Sequence, residues 1–160
     1  MVLLEKMTEQ DFEQFMEKSS DLYAQDLIKA TGMTLAQARQ RISKQRSVII
    51  PNGLRTENVF FMKIHDSETK ERVGSIWWGV FPSHNTAFII DIYVDDNFRG
   101  KGLGSETISE VIKTAKEYAI GDLSLHVFRH NPRAKQLYER IGFKVVDEEK
   151  EGYKMVYQLK

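Results

Sequence analysis

The sequence contains no cysteine, which excludes a disulfide framework, a thiolate nucleophile and any cysteine-based metal site. It also lacks an excess of either charge, with 23 Lys and Arg against 23 Asp and Glu. A broadly basic surface for nucleic acid or an anionic membrane is therefore excluded, and any anion site must be local. No apolar run approaches the ~20 residues that a membrane-spanning helix requires. The opening residues, MVLLEKMTEQ, carry neither a basic leader nor a small-residue cleavage site. Together these absences predict a cytoplasmic protein without a membrane or nucleic-acid partner. Repeats, linkers and low-complexity tracts are missing as well.

What is present has an ordinary globular balance, 41% apolar and 29% charged residues in a chain of 160. That length buries one respectable core but hardly two, so residues 1–160 are expected to form one domain. After a short strand at Val2 to Leu4, Thr8 and Asp11 supply a capping box for a helix with an apolar face at Phe12, Phe15, Met16, Leu22, Tyr23 and Leu27. Gly32 closes it. Thr34 and Gln37 open a second helix whose few apolar positions, Leu35, Ala38 and Ile42, place it on the surface. Its other face carries Arg39, Arg41, Lys44 and Arg46, for which a solvated face is the favoured reading over a ligand-facing basic wall.

Three β-rich runs follow, Asn58 to His65, Val73 to Phe81 and Thr86 to Val94, joined by connections short enough for an antiparallel meander. The pattern then changes. The third strand leads through glycines into a helix with Ile108, Val111, Ile112 and Ala115 on one face, and a strand from Leu123 to Phe128 comes next. A strand-helix-strand unit of this kind makes its two strands parallel through a right-handed crossover. A further helix spans Pro132 to Ile141, with Asn131 as its N-cap and Gly142 just past its end. Strands Phe143 to Val146 and Tyr153 to Leu159 complete the chain. The predicted fold is thus α/β, with a mixed, mostly antiparallel twisted sheet, a central parallel pair and helices on both faces.

Between Val94 and the next helix lies Arg99-Gly100-Lys101-Gly102-Leu103-Gly104-Ser105. A strand's carboxyl end meeting a helix N-terminus presents unpaired amides and the positive end of the helix dipole, a natural seat for phosphate. Gly100, Gly102 and Gly104 remove Cβ atoms that would keep oxygens from the backbone, and permit the positive φ angles of an amide nest. A Walker A loop is excluded, because Gly102 follows Lys101 where Ser or Thr is needed. A dinucleotide fingerprint fits poorly, since Ser105 stands where Gly or Ala belongs.

Arg99-x-x-Gly102-x-Gly104 after Asp91-Ile92-Tyr93-Val94, followed by Leu123-x-Leu125-x-Val127 and Asn131-x-x-Ala134-x-x-Leu137-Tyr138-x-x-x-Gly142-Phe143, resembles the paired signatures of the GNAT N-acetyltransferase superfamily. The motif-bearing resemblance covers about residues 86 to 146. It implies a GNAT-like fold that holds acetyl-CoA between the two parallel strands, with no metal, and transfers acetyl to an amine acceptor. Pantetheine would pair with the backbone at Ile92, Tyr93 and Val94, and Asn131 would reach its arm. Pyrophosphate would rest on the amides from Arg99 to Ser105, including those of Lys101, Leu103 and Gly104. Residues 1–57 would shape the acceptor side, 58–119 the meander and acetyl-CoA loop, and 120–160 the C-terminal cofactor and catalytic part. No residue speaks to assembly, and a homodimer stays open.

Direct transfer needs an unprotonated amine, a site for charge on the carbonyl oxygen and a proton or hydrogen bond for the departing sulfur. Backbone N–H groups from Ile92 to Val94 are candidates for the second role. Tyr138 is the candidate for the third, because a phenol of ordinary pKa ~10 stays protonated at neutral pH. Its alternative role is packing, on one face with Ala134, Leu137 and Ile141. Asp91, the one carboxylate in an otherwise apolar stretch from Phe88 to Val94, is the candidate base, with burial expected to raise its pKa. A structural bond to a neighbouring segment is its alternative, and the family's familiar glutamate position falls near Phe88 here. His126 and His130 straddle a strand end and do not form a metal pair. Trp77 and Trp78 project to opposite faces, one to the core and the other toward a pocket. A non-catalytic acyl-CoA sensor is the alternative function, needing the loop but neither Tyr138 nor a base.

Overall fold

The computed structural model describes residues 1–160. Strand β1 (Val2–Lys6) precedes helix α1 (Glu9–Thr31), whose start is fixed locally: Thr8 N donates to Asp11 Oδ2 at 2.9 Å and Asp11 N to Thr8 Oγ1 at 3.1 Å. Gly32, at φ 74°, ends it, and the Thr34–Gln37 box opens helix α2 (Leu35–Ile49) in the same manner. Strands β2 (Val59–Asp66), β3 (Arg72–Phe81) and β4 (Thr86–Val94) form the meander. Helix α3 (Leu103–Ala115), strand β5 (Asp122–Phe128), helix α4 (Pro132–Ile141) and strands β6 (Lys144–Glu148) and β7 (Gly152–Gln158) follow. Observed limits differ from the sequence expectation by at most two residues, and β4 and α4 coincide with it.

The seven strands form one sheet in the order β1-β2-β3-β4-β5-β7-β6. Only β4 and β5 run parallel, as the crossover through α3 requires. Helices α3 and α4 cover one face, where Ile76, Trp78, Ile89, Ile108, Val111, Leu125 and Met155 make the main core. Helices α1 and α2 cover the other, over a smaller cluster of Phe15, Phe61 and Trp77. The adjacent tryptophans therefore serve different layers. No helix is long and apolar enough to cross a membrane.

Two irregularities in β4 shape everything around it. Trp77 pairs with Asp91 and Trp78 with Ile89, so Ile90 is an extra residue, a β-bulge. Strict alternation would place Asp91 beside Ala87 and Ile89 in the α3 core; the bulge turns it to the α1 face, opposite Trp77. The parallel ladder with β5 stops at the same point, running from Thr86 opposite Asp122 only to Ile89 opposite Leu125. Beyond it β5 stays on β7 as far as Phe128 opposite Gly152, while β4 stays on β3 to Val94. A bulge bends and twists its strand, and here the bend separates β4 from β5 into an open V.

Candidate functional site

A cavity of about 1140 Å³ fills the V and extends beneath α1 and α2. Six of the residues expected from the sequence line it: Asp91, Ile92, Tyr93, Arg99, Asn131 and Tyr138. Val94 and the stretch Gly100, Lys101, Gly102, Leu103, Gly104 and Ser105 lie outside its wall, at the rim where β4 passes into α3, with Gly100, Lys101 and Gly102 exposed.

Gly100 and Gly102 adopt φ of 79° and 80°, and nothing lies within 4 Å of the position a Cβ would take at either. They shape the loop so that none of the amides from Gly100 to Ser105 donates to a turn, cap or side-chain acceptor, and α3 starts without a side-chain cap. Those unpaired amides, beside the positive end of the α3 dipole, are an arrangement that can accept an anion. Gly104 departs from expectation. It is helical without a positive φ, and a Cβ there would meet Leu137 at 3.9 Å and Val94 at 4.0 Å, ordinary contacts. Leu103 is buried in the core, leaving only its backbone to the rim. Arg99 braces the loop: its Nε donates to the Val94 carbonyl at 2.9 Å, Nη1 pairs with Asp96 at 2.8 Å, and the guanidinium lies 5.2 Å from the Tyr93 ring centroid.

Asn131 caps α4, its Oδ1 accepting from Ala134 N at 3.3 Å, and faces the cavity as well. Tyr138 belongs to both the core and the cavity. Its ring meets Phe143 edge-on at 6.0 Å, whereas its hydroxyl has no hydrogen-bond partner in the protein. Burial, with a smaller contribution from the negative charge of Asp91, pushes its pKa up to about 12.

Asp91 Oδ2 accepts from Ser19 Oγ at 2.7 Å. Burial raises its pKa, against the opposing pull of that hydrogen bond and of Arg46. Ser19 in turn accepts from Arg46 Nη2 at 3.3 Å, and Arg46 Nη1 donates to the Met16 carbonyl at 3.3 Å and to Ser20. The guanidinium lies 5.4 Å from the Trp77 ring centroid, and burial lowers its pKa. A relay from Arg46 through Ser19 thus reaches the carboxylate.

This relay corrects the expectation of a solvated basic face on α2. Ala38 and Ile42 dock on Ala24 and Leu27 of α1, and that contact turns the half-buried Arg41 and Arg46 toward the cavity, while Lys44 stays exposed at its edge and Arg39 in solvent. Arg41 is engaged by Glu151 through two bonds of 2.9 and 3.1 Å. Ser19 was open to discovery from the sequence, being a hydroxyl on the α1 stripe between Phe15 and Tyr23. Nothing local marks Arg46. His126 lines the cavity, its pKa lowered by burial, whereas His130 pairs with Asp26 at 2.8 Å.

The Acetyltransferase (GNAT) family profile matches residues 6–143. The uncharacterized N-acetyltransferase YycN of Bacillus subtilis is 33% identical over 149 residues, covering 91% of this chain and 94% of that protein. A second uncharacterized B. subtilis N-acetyltransferase, YdgE, is 34% identical over 142 residues, covering 88% and 90%. Among solved structures, YycN superposes with a TM-score of 0.83 at 29% identity, over 92% of this chain and 94% of that one. The PaiA N-acetyltransferase of Thermoplasma acidophilum, solved with coenzyme A, gives 0.70 at 20% identity over 99% of each chain, a likeness of fold.

Proposed function

Since the chain belongs to the GNAT acetyltransferase family, we propose that it moves the acetyl group of acetyl-CoA directly to a primary amine, with Asp91 and Tyr138 as its catalytic residues. One observation carries this reading: the parting of β4 from β5 brings a buried carboxylate and an unpartnered phenol onto one cavity, at whose rim lies a loop of unpaired amides. A domain that only sensed acyl-CoA would have no use for the first two.

The residues present fit acetyl-CoA. The glycine loop offers amides, a helix dipole and open space where Cβ atoms would be, as a diphosphate requires. The edge of β4 from Ile90 to Val94 is free of β5, so a pantetheine amide chain has a strand edge to pair with. Acetyl-CoA supplies an activated acetyl thioester and a thiol leaving group.

Asp91 receives the proton that the amine loses, directly or through water, and its raised pKa makes it a better base than an exposed aspartate. A free amide among Ile92, Tyr93 and Val94 donates to the carbonyl oxygen as charge builds on it. The carbon–nitrogen bond forms, the carbon–sulfur bond breaks, and the Tyr138 hydroxyl donates a hydrogen bond to the departing sulfur. Asn131 holds the arm of the donor through its free amide nitrogen.

The test is release of free CoA from acetyl-CoA by the purified protein across a broad amine panel, alongside calorimetric binding of CoA. Turnover of at least one amine class is the expected result. Binding of CoA without turnover of any amine overturns the reading in favour of a sensor.

A further inference from the structure

Resting on the transfer reaction above, we propose that the acceptor is a zwitterion, an amine with a carboxylate or comparable oxyanion a few bonds from its nitrogen, and that Arg46 receives the anion. Arg46 is half-buried in the cavity wall yet forms no salt bridge; its bonds go to the neutral oxygens of Met16, Ser19 and Ser20. A guanidinium has five N–H donors, so donors remain after those three bonds. A partly desolvated cation without a direct ion pair is costly; Asp91, reached only through Ser19, and the face of Trp77 offset only part of that cost.

The surroundings point the same way. Lys44, exposed at the edge of the cavity, has no salt-bridge partner, whereas Arg41 is already held by Glu151. The buried Nε1–H of Trp77, in the same wall, has no acceptor. On the acidic side the cavity has only Asp26 and Asp91. His130 occupies Asp26 at 2.8 Å, and Asp91 is needed as base. A polycation would find no row of carboxylates along this wall. The distance between the two charges limits the acceptor further: Ser19 alone bridges Asp91 and Arg46, at 2.7 and 3.3 Å. An amine beside the first and an oxyanion beside the second are therefore separated by a short spacer, as in an α- or β-amino acid.

The experiment measures CoA release with L-amino acids, the corresponding amino acid carboxamides and spermidine, compared at equal concentrations of free amine. The expected result is a kcat/KM for the acids at least about tenfold above that for the amides and for spermidine, the size of one charge-assisted hydrogen bond. Arg46→Gln should erase the preference: within the variant the ratio of kcat/KM for the acids to that for the amides falls to about one, a ratio in which any effect passed through Ser19 to Asp91 cancels. Arg46→Lys, which keeps the cation and guards against misfolding of the first variant, should retain part of it. Equal use of acids and amides, better use of spermidine, or a preference unaltered in Arg46→Gln overturns the inference and leaves the transferase reading standing. No turnover of any amine while CoA binds overturns both.

Discussion

Replacing Tyr138 with Phe tests the chemistry most directly, because the structure separates its two roles. The ring contact with Phe143 survives the substitution, and the hydroxyl has no protein partner to be left unpaired. Stability should consequently stay within about 0.5 kcal/mol of the parent. Its pKa of about 12 decides what the hydroxyl can do. An ordinary thiol titrates well below that, so complete proton transfer from Tyr138 to the departing sulfur is unfavourable. On the proposed mechanism Tyr138 therefore serves the sulfur as a hydrogen-bond donor that keeps its proton. A hydrogen bond to a charged group contributes about 1.5–3 kcal/mol, equivalent to a drop in kcat of about 10- to 150-fold in Tyr138→Phe. Steady-state CoA release gives kcat, and calorimetry should show acetyl-CoA affinity within about twofold of the parent. The same pKa requires that Tyr138 produce no alkaline decline in rate below about pH 11. A Tyr138→Phe variant with kcat within about twofold of the parent would refute the assignment, and so would an alkaline limb that the substitution abolishes.

Asp91 should give the opposite limb: burial raises its pKa, so the rate falls as pH drops through a value above the usual carboxylate range, and Asp91→Asn removes that limb along with most of the activity. The raised pKa also means that ionising Asp91 in the folded state costs stability as pH rises, so Asp91→Asn should melt higher than the parent at pH 7 and no higher near pH 3. Gly102→Ala, at φ 80°, should lose about 1–2 kcal/mol by urea denaturation and weaken CoA binding. Gly104→Ala, helical with open contacts, should instead keep or gain up to about 1 kcal/mol while still weakening CoA binding; unchanged affinity would show that the diphosphate does not approach the backbone there. At Gly74 a Cβ would sit 2.1 Å from the Tyr93 carbonyl oxygen, so Gly74→Ala should cost more than about 2 kcal/mol, and a variant as stable as the parent would contradict the β3–β4 register.

The features legible in the sequence are those fixed by neighbours in the chain. Two capping boxes, the Asn131–Pro132 start of α4 and the glycine loop each need only a few adjacent residues, and the parallel pair follows from the handedness of one crossover. Arg46 was misread because α2 has so few apolar positions that its orientation is set by docking on α1, a contact between residues that no local pattern links. Asp91 and Tyr138 stand out in the sequence as candidates for chemistry, though not as neighbours of one cavity. That convergence depends on the backbone path of β4.

The path of β4 was hidden for a specific reason. Phe88, Ile89, Ile90 and Ile92 are apolar whichever face they occupy, so the period of two that would betray an extra residue is absent. Removing Ile90 makes the hidden element testable. The deletion leaves Ile89 opposite Trp78 and Asp91 opposite Trp77, each still on its present face, so the apolar pattern of the sheet and the core survive. The kink disappears, and the parallel ladder, no longer bent apart at Ile89 and Leu125, can extend toward Val127 and close the V. A folded protein with native-like circular dichroism that neither binds CoA nor turns over amines is the expected result. If the deletion variant binds CoA as tightly as the parent, the separation of β4 from β5 has another cause, because a bulge that shapes the cleft cannot be removed without closing it.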